Sequence, residues 1–219
     1  MTDPRGLAAL ADLVEGLIPD VGRAILGFTG APGAGKTTLA LALLEVLRAR
    51  HGQDWAAHVP MDGFHLADAQ LERLGLRDRK GAPETFDSGG YAALLTRLRA
   101  ADCDIYAPGF ERDLEQPLAA ALHVPAQARV VLTEGNYLMI RGWEAVRAAL
   151  DAVWFVDVDE PLRLSRLVAR HEEFGKDPEH ARDWAASVDQ PNAELVVATR
   201  ASADLLIINT ETGWTVQTP

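Results

Sequence analysis

The sequence contains a single cysteine, Cys103, and therefore cannot form an internal disulfide bond. Chains without disulfides are typical of reducing compartments, so we expect a cytoplasmic protein. No pattern around Cys103 would activate its thiol, and we expect it to be a small buried side chain without a catalytic role.

Long apolar runs and excess positive charge are also missing. No apolar run approaches the roughly 18 residues that cross a membrane. The 21 Lys and Arg residues are outnumbered by 32 Asp and Glu residues, which gives a formal net charge of −11. Such a chain repels nucleic acid and anionic membrane surfaces, so we expect neither as a partner. A local cluster of backbone N–H groups can still bind a small anion.

Two further classes of site lack their motifs. The guanine-binding motif N-K-x-D is absent, and residues 87–90, which match D-x-x-G, do not follow a predicted strand. Five of the six histidines show no spacing typical of zinc ligands: His51, His58, His123, His171 and His180. A GTPase and a zinc centre are therefore disfavoured.

One motif is complete. Residues 30–37 read G-A-P-G-A-G-K-T, which is the phosphate-loop pattern G-x-x-x-x-G-K-[ST]. The apolar run 24–29 predicts a strand before it, and 38–47 predicts a helix after it. Glycines let backbone N–H groups point inward, and a helix N-terminus adds partial positive charge. The sequence therefore predicts a nucleotide-binding loop.

Within this loop, Lys36 is expected to reach the outer phosphates and Thr37 to ligate magnesium. The full set of expected nucleotide-binding residues is Gly30, Ala31, Gly33, Ala34, Gly35, Lys36, Thr37, Thr38 and Arg170.

The rest of the chain alternates predicted strands with predicted helices. Strands are expected near 55–61, 129–133, 153–158 and 205–208, followed by a polar tail. This alternation is typical of an α/β fold with a five-stranded parallel sheet between two helical layers. We expect one domain with a helical lid at about 166–190. The segment 105–122 contains three Pro or Gly residues and is expected to be irregular or a hairpin, within an acceptor-site insertion at about 103–125.

Two acidic residues directly follow predicted strands. Ligands of open parallel sheets lie off the carboxyl ends of the strands. There Asp62 could accept the proton of an attacking hydroxyl. Glu134 looks like the acidic residue of a Walker B strand, which would contact magnesium directly or through water. The alternative for both residues is a turn or capping carboxylate.

Three arginines, Arg163, Arg166 and Arg170, share one face of a predicted helix because their spacing is i, i+3 and i+7. This face could close over the phosphates and stabilise transition-state charge. The alternative is a solvated face that pairs with nearby glutamates. We select Arg166, as a catalytic residue, and Arg170 because they lie nearer the expected hinge at Gly175.

An acceptor pocket needs aromatic walls and a few polar anchors. Candidates in predicted irregular segments near strand ends are His65, Tyr106, Phe110, Arg112 and Tyr137. For the aromatic residues ordinary packing is an equal alternative, and for His65 a position outside the pocket.

Several of these motifs resemble a known group. Residues 61–65 (M-D-G-F-H), 79–87 (R-K-G-A-P-E-T-F-D) and 134–137 (E-G-N-Y) resemble the DGF, RKG-P-E-[ST]-[FY]-D and EG segments of bacterial type I pantothenate kinases. The layout is similar to uridine kinases and phosphoribulokinases. Stretches 106–112, 154–158 and 170–176 most resemble bacterial nucleoside/nucleotide kinase family proteins, some labelled fructose transport system kinases.

This resemblance covers about residues 24–208 and implies a P-loop kinase fold. It implies that the Glu134 strand lies beside the first strand, with Asp62 on the next strand out. It further implies ATP and magnesium, Asp62 as general base, and a lid from Arg166 to Lys176. It adds Phe64, Arg79 and Lys80 to the expected substrate-binding residues.

The sequence thus predicts an ATP-dependent kinase that transfers the γ-phosphate to a hydroxyl of a small metabolite, with Asp62, Lys36 and Arg166 as its catalytic residues. Pantothenate, a nucleoside and a sugar all stay open as acceptors, since the pocket segment of pantothenate kinases is replaced here by 106–112. The alternative is a nucleotide-dependent switch with ATPase activity only. The oligomeric state stays open, with a homodimer as one option.

Overall fold

The computed structural model describes residues 4–100, 102–173, 175, 177–210 and 212–217. Its strands, in chain order, are β1 (Ala24–Thr29), β2 (Ala56–Pro60), β3 (Ile105–Glu111), β4 (Gln116–Val124), β5 (Val130–Glu134), β6 (Ala152–Val158), β7 (Leu205–Thr210) and β8 (Gly213–Gln217). Its α-helices are α1 (Pro4–Glu15), α2 (Lys36–His51), α3 (Asp68–Leu74), α4 (Ser88–Ala100), α5 (Glu144–Ala148), α6 (Glu160–Glu173), α7 (Pro178–Trp184) and α8 (Gln190–Val197).

The main sheet has the strand order β2-β5-β1-β6-β7-β8. Its first five strands pair in parallel, which confirms the predicted α/β fold. Successive side chains of a strand point to opposite faces of a sheet. Ile25 of β1 accordingly belongs to an apolar cluster with α4 and α5, whereas Leu26 belongs to a cluster with α1 and α2. Helices therefore cover both faces of the sheet.

The order also confirms the expected neighbours of β1. Glu134, the last residue of β5, pairs with Phe28 of β1 on one side and with Pro60 of β2 on the other. The carboxyl ends of these three strands consequently meet at one edge, where the phosphate loop begins.

The prediction of a polar tail after the fifth strand is wrong, because β8 follows β7 and is the sixth strand of the main sheet. It is antiparallel to β7, and the two strands form a tight hairpin closed by the pair Thr210 and Gly213. Trp214 is buried in this hairpin and anchors a segment whose other residues are mostly polar and exposed.

Strands β3 and β4 form a separate antiparallel hairpin, which is one of the two predicted forms of segment 105–122. The hairpin packs closely on the 3-10 turn Met61–Phe64 that follows β2. A Cβ atom added to Gly63 would lie 2.4 Å from the Pro108 carbonyl oxygen, so only glycine fits at that contact.

Two expectations concern segments outside the sheet, namely a buried Cys103 and a helical lid. Cys103 is exposed and not buried, because it lies in the bend between α4 and β3. The expected lid, 166–190, contains the second half of α6, all of α7 and a π-helical turn, Ala185–Asp189. Phe174 and Lys176 of that segment lie outside the described residues. Within the described residues, no helix combines the length and the apolar character needed to cross a membrane.

Candidate active site

The phosphate loop connects β1 to α2 and follows a path that requires glycine. Gly33 and Gly35 adopt φ angles of 83° and 90°, which side-chain-bearing residues rarely adopt. Space is also limited, since a Cβ atom added to Gly33 would lie 2.9 Å from Leu167 Cγ of α6. The loop is thus packed between the sheet and α6.

Lys36, the first residue of α2, folds back over this loop. Its ammonium group donates hydrogen bonds to the carbonyl oxygens of Gly30 at 2.9 Å and Ala31 at 3.0 Å. Burial lowers the pKa of Lys36 to about 8, although the charge of Glu134 acts in the opposite direction. The side chain is therefore held at the loop, where it can exchange carbonyl partners for phosphate oxygens.

Asn209 of β7 supports the loop from the other side, and sequence reasoning did not identify it. Its side-chain amide donates a buried 2.7 Å hydrogen bond to the Ala34 carbonyl oxygen. A Cβ atom added to Gly35 would lie 2.3 Å from the same amide nitrogen. The contact joins residues 175 positions apart, so only the folded chain reveals it.

Glu134 lies beneath the loop at the end of β5 and is 6% exposed. Burial raises the pKa of this carboxyl, but His58, Lys36 and a hydrogen bond from Thr37 together bring it below its usual value. His58 Nε2 lies 3.7 Å from Glu134 Oε1, which is longer than a hydrogen bond. The glutamate is thus an anion next to the Thr37 hydroxyl.

Asp62 lies in the 3-10 turn after β2 and opens into the same cavity as the loop. Its Oδ2 atom is 3.4 Å from Nη2 of Arg112, which comes from the β3–β4 hairpin. The cavity has a volume of about 400 Å³ and contains Lys36, Thr37, Asp62 and Glu134 in its wall. The phosphate loop and a partly exposed carboxylate therefore share one cavity.

His65 and Phe110 also border this cavity. The His65 ring lies 4.0 Å from the Phe86 ring and 4.8 Å from the Phe110 ring, measured between centroids. Burial lowers the pKa of His65, while the charge of Asp62 partly opposes the effect. His65 Nδ1 is 2.9 Å from the Asp62 carbonyl oxygen, so the imidazole also supports the turn that carries Asp62.

A second cavity of about 510 Å³ adjoins the first, and Lys36 and Arg112 border both. Arg166 and Arg170 of α6 form one part of its wall, and the β7–β8 hairpin forms another through Thr210 and Trp214. Arg170 borders both cavities, whereas Arg166 borders only the second, next to Gly35.

Arg163, the third arginine of the predicted face, has a different position. It is 2% exposed and donates hydrogen bonds to Glu160, to Gln190 and to the Pro32 carbonyl oxygen. These contacts tie α6 to the phosphate loop and to α8. Arg163 therefore holds a structural position between the phosphate loop and α8.

Four predicted substrate contacts lie away from both cavities. Phe64 packs on Tyr91, and Tyr137 is buried with its hydroxyl donating to the Gly81 carbonyl oxygen. Arg79 is exposed and pairs with Glu84. Tyr106 is 61% exposed because it faces His123 on the outer side of the hairpin.

The structure brings most of the other predicted residues together, whereas Gly30, Ala31 and Ala34 belong to the loop but border neither cavity. The first cavity is bordered by Gly33, Lys36, Thr37, Asp62, His65, Lys80, Phe110, Arg112, Glu134 and Arg170. Thr38, Gly35 and Arg166 border the second. Sequence reasoning missed Arg77, which borders the first cavity and adjoins the R-K-G segment in the sequence. The position of Arg77 next to this recognised motif is the sequence signal that could have identified it.

Comparisons with known proteins add a family context. No protein-family model matches the chain. The chain is 32% identical to the Escherichia coli protein YggC, which is uncharacterized, over 87% of this chain and 80% of the relative. It is 30% identical to a proposed uridine kinase of Schizosaccharomyces pombe, over 68% of this chain and 66% of the relative. The crystal structure of a proposed fructose transport system kinase from Silicibacter sp. TM1040 matches with 37% identity and a TM-score of 0.83, over 91% of this chain and 98% of that one.

Proposed function

The chain belongs to the superfamily of P-loop kinases that includes uridine kinases, pantothenate kinases and phosphoribulokinases, and we propose that it is an ATP-dependent kinase acting on a hydroxyl of a small metabolite. The observation that carries the proposal is the position of Asp62 in one cavity with Lys36 and Thr37. A nucleotide switch has no alcohol to deprotonate, whereas a kinase needs a carboxylate at this place.

The residues present fit ATP with magnesium. The loop supplies backbone N–H groups at the start of α2, and Lys36 supplies a positive charge. Thr37 and the ionised Glu134 are oxygen donors of the kind that hold Mg²⁺, which keeps several waters and needs only one or two protein ligands. Bound magnesium would neutralise phosphate charge at this edge of the sheet.

The second cavity is our candidate site for the nucleotide base and ribose. It adjoins the loop at Gly35 and Thr38, and Arg166, Arg170 and Trp214 border it. Planar guanidinium groups and aromatic rings stack on flat ring systems, which suits a purine. The triphosphate would then extend past Lys36 towards Asp62 in the first cavity.

The protein's own groups account for the transfer. Asp62 accepts the proton of the acceptor hydroxyl while that oxygen attacks the γ-phosphate. Lys36, together with Arg166 and Arg170 of α6, stabilises the negative charge that develops on the transferred phosphate. Closure of the lid, 166–190, excludes water, which would otherwise be phosphorylated in place of the acceptor.

Incubation with ATP, magnesium and a panel of hydroxylated metabolites tests the proposal, with mass spectrometry of the products as the measurement. We expect at least one compound to gain a phosphate in a reaction that the Asp62→Asn variant does not catalyse. Hydrolysis of ATP with no phosphorylated compound would instead support a nucleotide-dependent switch.

A further inference from the structure

His58 is a polar side chain on an otherwise apolar face of the sheet. It lies on β2 and pairs with Leu132 of β5, and side chains alternate along a strand, so it shares a face with Ala56 and Leu132. Both of these neighbours belong to the apolar cluster that includes α1 and α2. Glu134 follows Leu132 by two residues and therefore points to the same face. The fold thus brings a histidine and the strand-end glutamate together from adjacent strands.

The Nε2 atom of His58 is buried and has no hydrogen-bond partner within the described part of the chain. The side chain is 13% exposed, and Nε2 lies 3.7 Å from Glu134 Oε1. A buried donor without a partner is unfavourable, and most such groups in folded proteins are paired. A shift of roughly 0.9 Å would bring the two atoms to about 2.8 Å, the usual length of a charge-assisted hydrogen bond. Glu134 is therefore an acceptor within reach of Nε2.

We propose that His58 is a positioning residue that holds the Glu134 carboxylate in place for magnesium through a hydrogen bond from Nε2. His58 is not part of the described wall of either cavity, so it acts through Glu134 and not on the nucleotide or the acceptor. This inference rests on the proposed kinase function, because it concerns the magnesium that accompanies ATP.

The other polar neighbours of Glu134 do not supply such a fixed contact. The Lys36 ammonium group donates its hydrogen bonds to carbonyl oxygens of the phosphate loop. Thr37 donates to Glu134, but its hydroxyl is itself an expected magnesium ligand. Both residues begin the helix that follows the loop. His58 belongs instead to the sheet, so its hold on the carboxylate does not depend on the loop.

The direction of this carboxylate matters for magnesium in particular. Mg²⁺ requires nearly octahedral geometry and is bound by only one or two protein ligands, so each ligand must be well placed. Hydrogen bonds from an outer shell orient such ligands, and the loss of one typically lowers metal affinity or activity by about 10–100-fold. A buried donor beside Glu134 fits this outer-shell role.

The magnesium-dependent part of nucleotide binding tests the inference. Calorimetry gives the affinity for a non-hydrolysable ATP analogue with magnesium and with EDTA, and the ratio of the two dissociation constants is compared between variants. His58→Leu removes the donor and should lower this ratio about tenfold, with little change in EDTA. His58→Gln keeps an N–H donor and should retain a ratio within about threefold of the wild-type value. Equal losses of affinity with magnesium and with EDTA would indicate a structural role only and would overturn the inference.

A second variant and a control keep the comparison valid. His58→Val also lacks the donor and suits a strand, so it replaces His58→Leu if leucine is too large for the site. His123→Leu is the control, because this histidine is exposed on β4 and lies outside the described walls of both cavities. A wild-type ratio in both His58→Leu and His58→Val would contradict the assignment.

The Glu134→Gln variant separates the levels of the proposal. His58→Leu should have almost no further effect in that background, because the histidine acts through the carboxylate, whereas additive effects would contradict the inference. Loss of the magnesium dependence in Glu134→Gln but not in His58→Leu would remove only the role of His58. Failure of the wild-type protein to bind the analogue at all would count against the kinase function itself.

Discussion

The Asn209 side-chain amide and the Ala34 carbonyl oxygen form a 2.7 Å hydrogen bond that joins the last parallel strand to the phosphate loop. The bond is buried, and the same amide closes the space beside Gly35. Two segments that lie far apart in the sequence thereby fix the shape of the loop. The phosphate site consequently depends on the correct docking of β7.

Replacing Asn209 with leucine should disturb this loop. The variant leaves the buried Ala34 carbonyl without its partner, which costs about 1–3 kcal/mol of unfolding free energy. We also expect an ATP analogue to bind roughly tenfold more weakly, which corresponds to a loss of about 1.4 kcal/mol of binding free energy. Urea denaturation and calorimetry measure the two effects, with Thr215→Ala on the exposed side of β8 as control. Unchanged nucleotide affinity would show that the loop holds its shape without Asn209.

Replacing Asp62 with asparagine should remove phosphate transfer while nucleotide binding persists. Loss of a general base lowers turnover by about 10²–10⁴-fold. Affinity for the ATP analogue should change less than about twofold, because Asp62 lies in the turn after β2 and is not part of the phosphate loop. The exposed Asp78→Asn variant is the control. Retained turnover would exclude Asp62 as the base.

Two arginines of α6 should respond differently to replacement by methionine. Arg163→Met removes the hydrogen bonds to Glu160 and Pro32 and should lower the unfolding free energy by about 1–3 kcal/mol. Arg166→Met should leave stability nearly unchanged and reduce turnover more than nucleotide affinity. Thermal denaturation and steady-state kinetics of both variants give the comparison. A normal rate for Arg166→Met would show that Arg166 is part of a solvated helix face and has no catalytic role.

Stability should depend on pH through His65. Burial lowers the pKa of His65 below the ordinary value of 6.5, so the unfolded state binds more protons as the pH falls below that value. The unfolding free energy should therefore decrease on acidification below about pH 6.5, and this part of the decrease should be absent in His65→Gln. Urea denaturation of both proteins at pH 7.5 and 5.5 measures the difference. Equal losses in the two proteins would contradict a depressed pKa.

Much of the fold follows from local sequence patterns. The phosphate loop and the five parallel strands could be predicted because apolar runs, glycines and strand-end carboxylates lie next to one another in the sequence. Strand β8 was not predicted, because its buried side chain, Trp214, lies among mostly polar residues in the sequence. Its place depends on pairing with β7, which is a tertiary property.

The site was predictable only where function uses a fixed local pattern. Lys36, Thr37, Asp62 and Glu134 follow strands or begin a helix, so their common position at one edge of the sheet could be inferred. Tyr137 illustrates the opposite case, because an aromatic side chain near a strand end serves equally well for packing. The sequence alone does not reveal on which side of the backbone such a ring will lie.

The β3–β4 hairpin supplies Phe110 and Arg112 to the cavity while remaining a sheet of its own. Its close approach to Gly63 fixes its position beside the turn that carries Asp62, and its Arg112 also borders the second cavity. A transplant of this single hairpin would therefore alter ligand preference without disturbing the central sheet, provided that the new hairpin keeps an arginine where the two cavities meet.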